Sequence, residues 1–191
     1  MRAFLKFIAV TCVSASFSIT AQAALIGKTL DVTYHHPDLT TPYAAASFLP
    51  QSFAVGAGAE TIGNVEGVTS LVTDFSDSQL TILLKTTLDK PTWNATPFNG
   101  MVFTLLSQGS LDISSAVVDP ATSLSGFDNS RLSFTNLMVG LNWQGLSYAD
   151  GEKVVVNFAF NKSVVPEAST YALLLAGLGF VAFVARRRLP G

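Results

Sequence analysis

The chain has 191 residues, 11 Lys and Arg against 13 Asp and Glu, 49% hydrophobic residues and one cysteine, which leaves room for one core of ordinary size. Its mean hydropathy of +0.42 comes from two apolar terminal stretches; with Arg2, Lys6, Arg186, Arg187, Arg188 and Glu167 set aside, 6 basic and 12 acidic residues remain between Ala24 and Val165, a net charge of −6. That acidity argues against nucleic acid or anionic lipid as a partner of the body, because both need basic surface to neutralise phosphate.

Residues 1–23 carry Arg2 and Lys6 early, an apolar stretch from Phe7 to about Ile19, and the small-x-small sequence Ala21-Gln22-Ala23. This is the pattern of a secretory signal peptide cut by signal peptidase after Ala23. An uncleaved anchor would need a longer apolar stretch. Cys12 lies in the middle of the apolar region rather than at its end, which is the wrong place for a lipoprotein cysteine. Cleavage would leave a cysteine-free protein whose fold rests on its core alone.

From residue 24 to 163 the recurring signal is short runs of β-formers with period-two alternation, punctuated by Gly, Pro, Asn, Asp and Ser. Lys28–Tyr34 predicts a strand with Leu30, Val32 and Tyr34 on one face, and Gln51–Val55 one with Phe53 and Val55 inward. Thr61–Val65, Thr69–Phe75 and Gln79–Thr86 follow, the last two joined by a turn at Ser76-Asp77-Ser78. Pro42–Leu49 is the one place where a short helix could replace a strand. Pro91, Asn94, Pro97 and Asn99 forbid a central strand in Lys90–Gly100, so Trp93 and Phe98 should cover one end of the core from a long loop.

Val102–Leu106, Ile113–Val118 and Arg131–Thr135 resume the alternation, and Leu137–Trp143 aligns Leu137, Val139, Leu141 and Trp143. The most regular strand, Lys153–Phe160, sets Val154, Val156, Phe158 and Phe160 on one face. About nine or ten strands with turns every 8 to 12 residues describe an all-β, antiparallel sandwich or barrel. No sustained helical period separates them, which excludes a parallel α/β fold.

Candidate chemistry in the body is sparse. His35-His36-Pro37-Asp38 gathers both histidines, but no third His or Cys completes a zinc set; no metal site and no cofactor are assigned. Asp74 with Asp77, Asp128 with Asn129, and Asp150 with Glu152 lack the spacing of a calcium loop and read as turn formers. No G-x-S-x-G and no phosphate-cradling glycine loop occurs. Trp93, Trp143 and Tyr148 are candidates for a sugar-stacking platform if their rings are exposed, and core or core-edge aromatics if they are not.

The segment 164–188 has three parts: a polar motif with Pro166 (residues 165–170), an uncharged apolar run from Tyr171 to Ala185, and Arg186-Arg187-Arg188. As a helix, 15 residues span roughly 22 Å, short of a hydrocarbon core of roughly 30 Å. The arginines fit a stop-transfer anchor held on the cytoplasmic side, with the β domain on the other.

The order Val165-Pro166-Glu167-Ala168-Ser169-Thr170, glycine-bearing apolar run and arginine cluster resembles the PEP-CTERM sorting tail of Gram-negative bacteria, with Ala168 where a second proline is usual. Asn94–Gly100 and Gly126–Arg131 are also similar to stretches of other carriers of this tail. The resemblance implies an exosortase as processing partner, with Val165, Pro166 and Glu167 as residues it reads, and an association with exopolysaccharide and biofilm. The expectation is an exported, non-enzymatic surface or matrix protein, anchored in the inner membrane with its β domain in the periplasm, then processed. The alternatives are a carbohydrate-binding module and, behind it, a polysaccharide hydrolase.

Overall fold

The computed structural model of the chain describes residues 25–161, 171–172, 174–179 and 181. Gln22–Lys162 form one unit, and the terminal segments fall outside it. Ala21 and Ala23, expected to mark a signal-peptide cleavage site, the motif Val165–Thr170 and the cluster Arg186–Arg188 lie outside the described residues.

Eleven strands follow one another in the described body: β1 Thr29–His35, β2 Ala46–Leu49, β3 Ser52–Ala54, β4 Ala59–Val65, β5 Thr69–Phe75, β6 Gln79–Thr86, β7 Gly100–Leu105, β8 Ile113–Val118, β9 Leu132–Phe134, β10 Met138–Asn142 and β11 Lys153–Phe160. They form two antiparallel sheets, ordered β3-β1-β7-β10-β9 and β2-β4-β5-β6-β11-β8. The architecture is the expected all-β sandwich.

Period-two alternation does what it should. Leu30, Val32 and Tyr34 of β1 point inward from the first sheet, and Leu80, Ile82 and Leu84 of β6 from the second. Phe75 bridges the sheets, meeting Phe103 edge-on at 5.0 Å and Phe53 at 6.1 Å.

Several elements depart from the alternation for identifiable reasons. The stretch that allowed a short helix, Pro42–Leu49, ends in strand β2 instead, paired to β4 with the Phe48 ring over Gly63; pairing with a neighbour overrides the local alanine-rich preference. Val155 is buried although it points away from the core, because Asp119–Leu124 folds along β11: Val155 N donates to Thr122 Oγ1 and Asp119 N to the Val155 carbonyl. Leu137 does not share the buried face of Val139, Leu141 and Trp143; it sits exposed in the turn before β10.

The sandwich has two poles. At one, Leu25 N bonds the Asp77 carbonyl, Phe158 N the Ser78 carbonyl and Asn161 N the Asp112 carbonyl, so the described body begins and ends there. At the other lie the ends of β1 and β4, the Lys90–Asn99 loop and the segment between β10 and β11. Trp93 and Phe98 are buried by that loop as expected.

At Gly100 a β-carbon would stand 1.8 Å from the Leu141 carbonyl oxygen, inside the β7–β10 ladder. Gly100→Ala must displace backbone and should cost at least about 2 kcal/mol of stability. Gly58→Ala, whose β-carbon meets nothing, pays only for its positive φ, about 1 to 2 kcal/mol. Urea unfolding of the two variants checks the order.

Candidate functional site

The pole away from the chain's entry and exit is built around aromatic rings with polar handles. Trp143 Nε1 donates to the Tyr34 hydroxyl at 2.9 Å, and that hydroxyl donates to Asn99 Oδ1 at 2.6 Å. Asn99 Nδ2 in turn donates to the Asn94 carbonyl at 3.2 Å, and Asn99 N to Asn142 Oδ1 at 3.0 Å. All three side chains are buried, where an unpaired polar group costs about 1 to 3 kcal/mol.

Over this chain stands Trp93, stacked on Tyr148 with centroids 4.7 Å apart and planes 12° from parallel, and 5.9 Å from Tyr34. The Lys90–Gly100 loop is fastened to the segment before β11 by Trp93 N to the Leu146 carbonyl, Gly145 N to the Trp93 carbonyl and Tyr148 N to the Pro91 carbonyl. Tyr148 is anchored by its hydroxyl, 2.5 Å from Thr69 Oγ1.

The three rings considered as an exposed platform are therefore not one. Trp93, Trp143 and Tyr148 are 8%, 0% and 5% exposed, because their large apolar faces are worth more stacked on each other than hydrated. Yet Trp93 and Tyr148 do line a cavity of about 140 Å³, together with Tyr34, His36, Tyr43, Glu66, Thr69, Asn94 and Asn99. Trp143 lies beneath it.

Unpartnered ring nitrogens and one carboxylate stand out at this cavity. Trp93 Nε1 is buried and has no acceptor in the protein, and His36 Nε2 is likewise buried without a partner. Glu66 occupies the first central position of the β-turn Val65–Val68 between β4 and β5 with φ 55°, followed by Gly67 with φ 73°, a pair of positive φ values that favours Asn or Gly at both places. Its Oε1 accepts the Tyr43 hydroxyl. Neither the Trp93 donor nor the Glu66 backbone is visible in the sequence as a site, although Glu66-Gly67 between two β runs signals the turn.

The other candidates have structural employment. Asp38 Oδ1 accepts from Thr40 N, Thr40 Oγ1 and Thr41 Oγ1, bonds that hold its carboxyl below the usual range. His35 Nε2 lies 2.8 Å from Thr33 Oγ1, and burial pushes its imidazole pKa down. Asp128 caps the 3-10 turn Asn129–Arg131 through Ser130 N, Asn129 Oδ1 accepts from Val118 N, and Asp150 Oδ1 from Thr86 N. Among the described residues no three His, Cys, Asp or Glu side chains gather as a metal set.

The stretches Asn94–Gly100 and Gly126–Arg131 meet at Asn142. Asn142 Nδ2 donates to the Pro97 carbonyl, while the Arg131 guanidinium donates to the carbonyls of Gly126, Asn142 and Gln144. Their shared role is to brace the pole that carries the cavity.

Outside the body, residues 171–172, 174–179 and 181 are helical, and each of them is exposed. Among the described residues no helix is long and apolar enough to cross a membrane.

Residues 164–188 match the family model of the PEP-CTERM protein-sorting motif. The C-terminal segment is thus a sorting signal of that type, which implies exosortase processing and membrane-associated export in Gram-negative bacteria. Neither the curated proteins nor the solved structures include one significantly similar to the chain.

Burial raises the Tyr34 hydroxyl pKa well above its usual value, against the opposing bond from Trp143, and burial raises that of Tyr148. A folded-state pKa above the unfolded one gives stability that is intact below the unfolded value near 10 and lost as pH climbs past it, because the unfolded chain then releases the proton first. Thermal melts should accordingly fall steeply above about pH 10, and Tyr148→Phe should flatten the slope. At pH 7 Tyr34→Phe should destabilise by about 1 to 3 kcal/mol, since it strands both the Trp143 donor and Asn99 Oδ1.

Proposed function

We propose that this chain is an exported, non-enzymatic surface or matrix protein whose β-sandwich is a structural or binding module, delivered and processed through its C-terminal sorting signal and deployed in an exopolysaccharide matrix. The observation that carries the proposal is the PEP-CTERM match over residues 164–188. In it, signal peptidase cleaves after Ala23, the run Tyr171–Ala185 holds the chain in the inner membrane with Arg186–Arg188 in the cytoplasm, and an exosortase acts at Val165-Pro166-Glu167 with the sandwich on the periplasmic side.

Two features support the temporary anchor. Tyr171, Leu174, Leu175, Leu178 and Val181 are all exposed in the described helical residues, and exposed apolar side chains on a helix suit lipid. A 15-residue helix falls short of the bilayer, a mismatch met by local thinning and by arginines that snorkel.

The tether is short. Four residues separate Phe160, the last residue of β11, from Val165, so the link extends at most roughly 17 Å. The processing enzyme must work close to the pole at which β11 ends. The aromatic cavity lies at the opposite pole of the sandwich.

That cavity favours a second reading, a carbohydrate-binding module. A glycosidase needs two carboxyl groups across a cleft, and the cavity is lined by one, Glu66, already engaged by Tyr43. Binding rather than hydrolysis is what this lining supports.

Mass spectrometry of the protein recovered from the cell exterior tests the sorting step. The mature product should begin at Ala24 and lack the peptide Tyr171–Gly191, whereas a Pro166→Ala, Glu167→Ala double variant should keep that peptide and stay in the membrane fraction. Recovery of the intact tail in the secreted wild-type protein would refute processing.

A further inference from the structure

We infer that the cavity between Trp93, Tyr43 and Glu66 is a binding site for one uncharged pyranose unit, the terminal residue of a neutral glycan. The inference rests on the binding-module reading and gives it a ligand class and an address.

Size comes first. A cavity of about 140 Å³ is on the scale that accepts a single six-membered ring, and below the roughly 300 Å³ at which pockets for larger ligands begin. Its lining then selects the ring's chemistry. Tyr43 supplies half-buried aromatic surface at the rim, which suits the C–H face of a sugar, while Tyr34, Trp93 and Tyr148 present only small edges of their buried rings. Glu66 and Asn94 supply acceptors, and Thr92 both donates and accepts.

Charge narrows the class. No Lys or Arg lines the cavity and Glu66 does, so a uronic acid or a phosphorylated sugar would bring its negative charge against a carboxylate with only the His36 imidazole, and no guanidinium or ammonium, to receive it. A quaternary ammonium would suit the rings and the carboxylate. It has no acceptor to offer Trp93 Nε1, a buried donor without a partner. A sugar hydroxyl provides acceptor and donor together.

The backbone at Glu66 points the same way. A non-glycine residue at φ 55° in a turn that favours Asn or Gly carries a conformational cost, and such positions cluster at ligand sites. Glycine there would make a better turn and a worse site. The carboxylate accounts for the choice: Oε1 fixes Tyr43, which meets the His36 ring at 5.3 Å on the same rim.

The test is titration of the exported protein, followed by tryptophan fluorescence and by the Trp93 indole N–H resonance, with glucose, galactose and N-acetylglucosamine as neutral probes. Glucuronate and tetramethylammonium are the charged comparisons. At least one neutral sugar should saturate the Trp93 signal, with glucuronate at least tenfold weaker than glucose. Trp93→Phe, which keeps the stack on Tyr148 but removes the donor, and Glu66→Gln should each weaken binding about tenfold or more. Glu66→Gly should unfold at higher urea than the parent and yet lose the sugar, an outcome that a purely structural role for Glu66 would not give.

Glucuronate binding as tightly as glucose would overturn the neutral assignment and leave a sugar-binding module standing. Response to tetramethylammonium alone would overturn the sugar assignment in favour of a cation. A Trp93 signal unmoved by every probe would overturn the site itself, while the sorting step, read separately by the mass of the mature protein, would be untouched.

Discussion

The hydrogen-bonded run from Trp143 through Tyr34 to Asn99 fixes the geometry of the functional pole. It joins the end of β10, strand β1 and the long loop before β7, three segments distant in sequence. The described body contains no cysteine, so no covalent link can do this work. Each group in the run is buried and each is partnered, which makes the network rigid; an incomplete version would cost more than an apolar replacement. Trp93 is set above the network by main-chain bonds to the segment before β11, and the cavity is the space left where Trp93, Tyr43 and the β4–β5 turn do not close over it.

The two poles of the sandwich are built from different aromatics. Near the pole where the chain enters and leaves, Phe53, Phe75 and Phe103 pack edge to face with nothing to hydrogen-bond. At the other, Tyr34, Trp93, Trp143 and Tyr148 combine similar rings with hydroxyl and indole groups that must find partners. Phenylalanine closes a core and asks for nothing further. Tyrosine and tryptophan in that number belong where one edge of the ring has polar company, and the unpartnered Trp93 Nε1 marks where that company is incomplete.

Strand positions were legible because the alternation in β1, β5, β6 and β11 is driven by one buried face, the strongest signal a sequence carries. It was less legible wherever burial comes from a covering loop. Val155 is buried on an outward face, and no local pattern reports the segment Asp119–Leu124 that lies across it. Strand β2 hid behind an alanine-rich run because its stability comes from pairing with β4. The C-terminal signal could be read directly, since its order of motif, apolar run and arginines is local. Trp93 and Tyr148 were identified as candidates from residue type, but their burial and their shared cavity depend on contacts 55 residues apart in the chain, such as the Thr92–Ser147 bond. Glu66 escaped notice because its distinguishing property is a backbone angle.

A carboxylate at a left-handed turn position joins these levels. The sequence around it, Val65-Glu66-Gly67-Val68, would fold the same hairpin with Asn or Gly in place of Glu66, and with less strain. Stability therefore does not account for the residue. Its side chain reaches Tyr43, and through Tyr43 it shapes the rim that faces away from the tether. That rim lies at the pole opposite the one at which Phe160 ends the last strand. The left-handed backbone at Glu66 and the unpartnered Nε1 of Trp93 are independent features, and both lie at the same cavity.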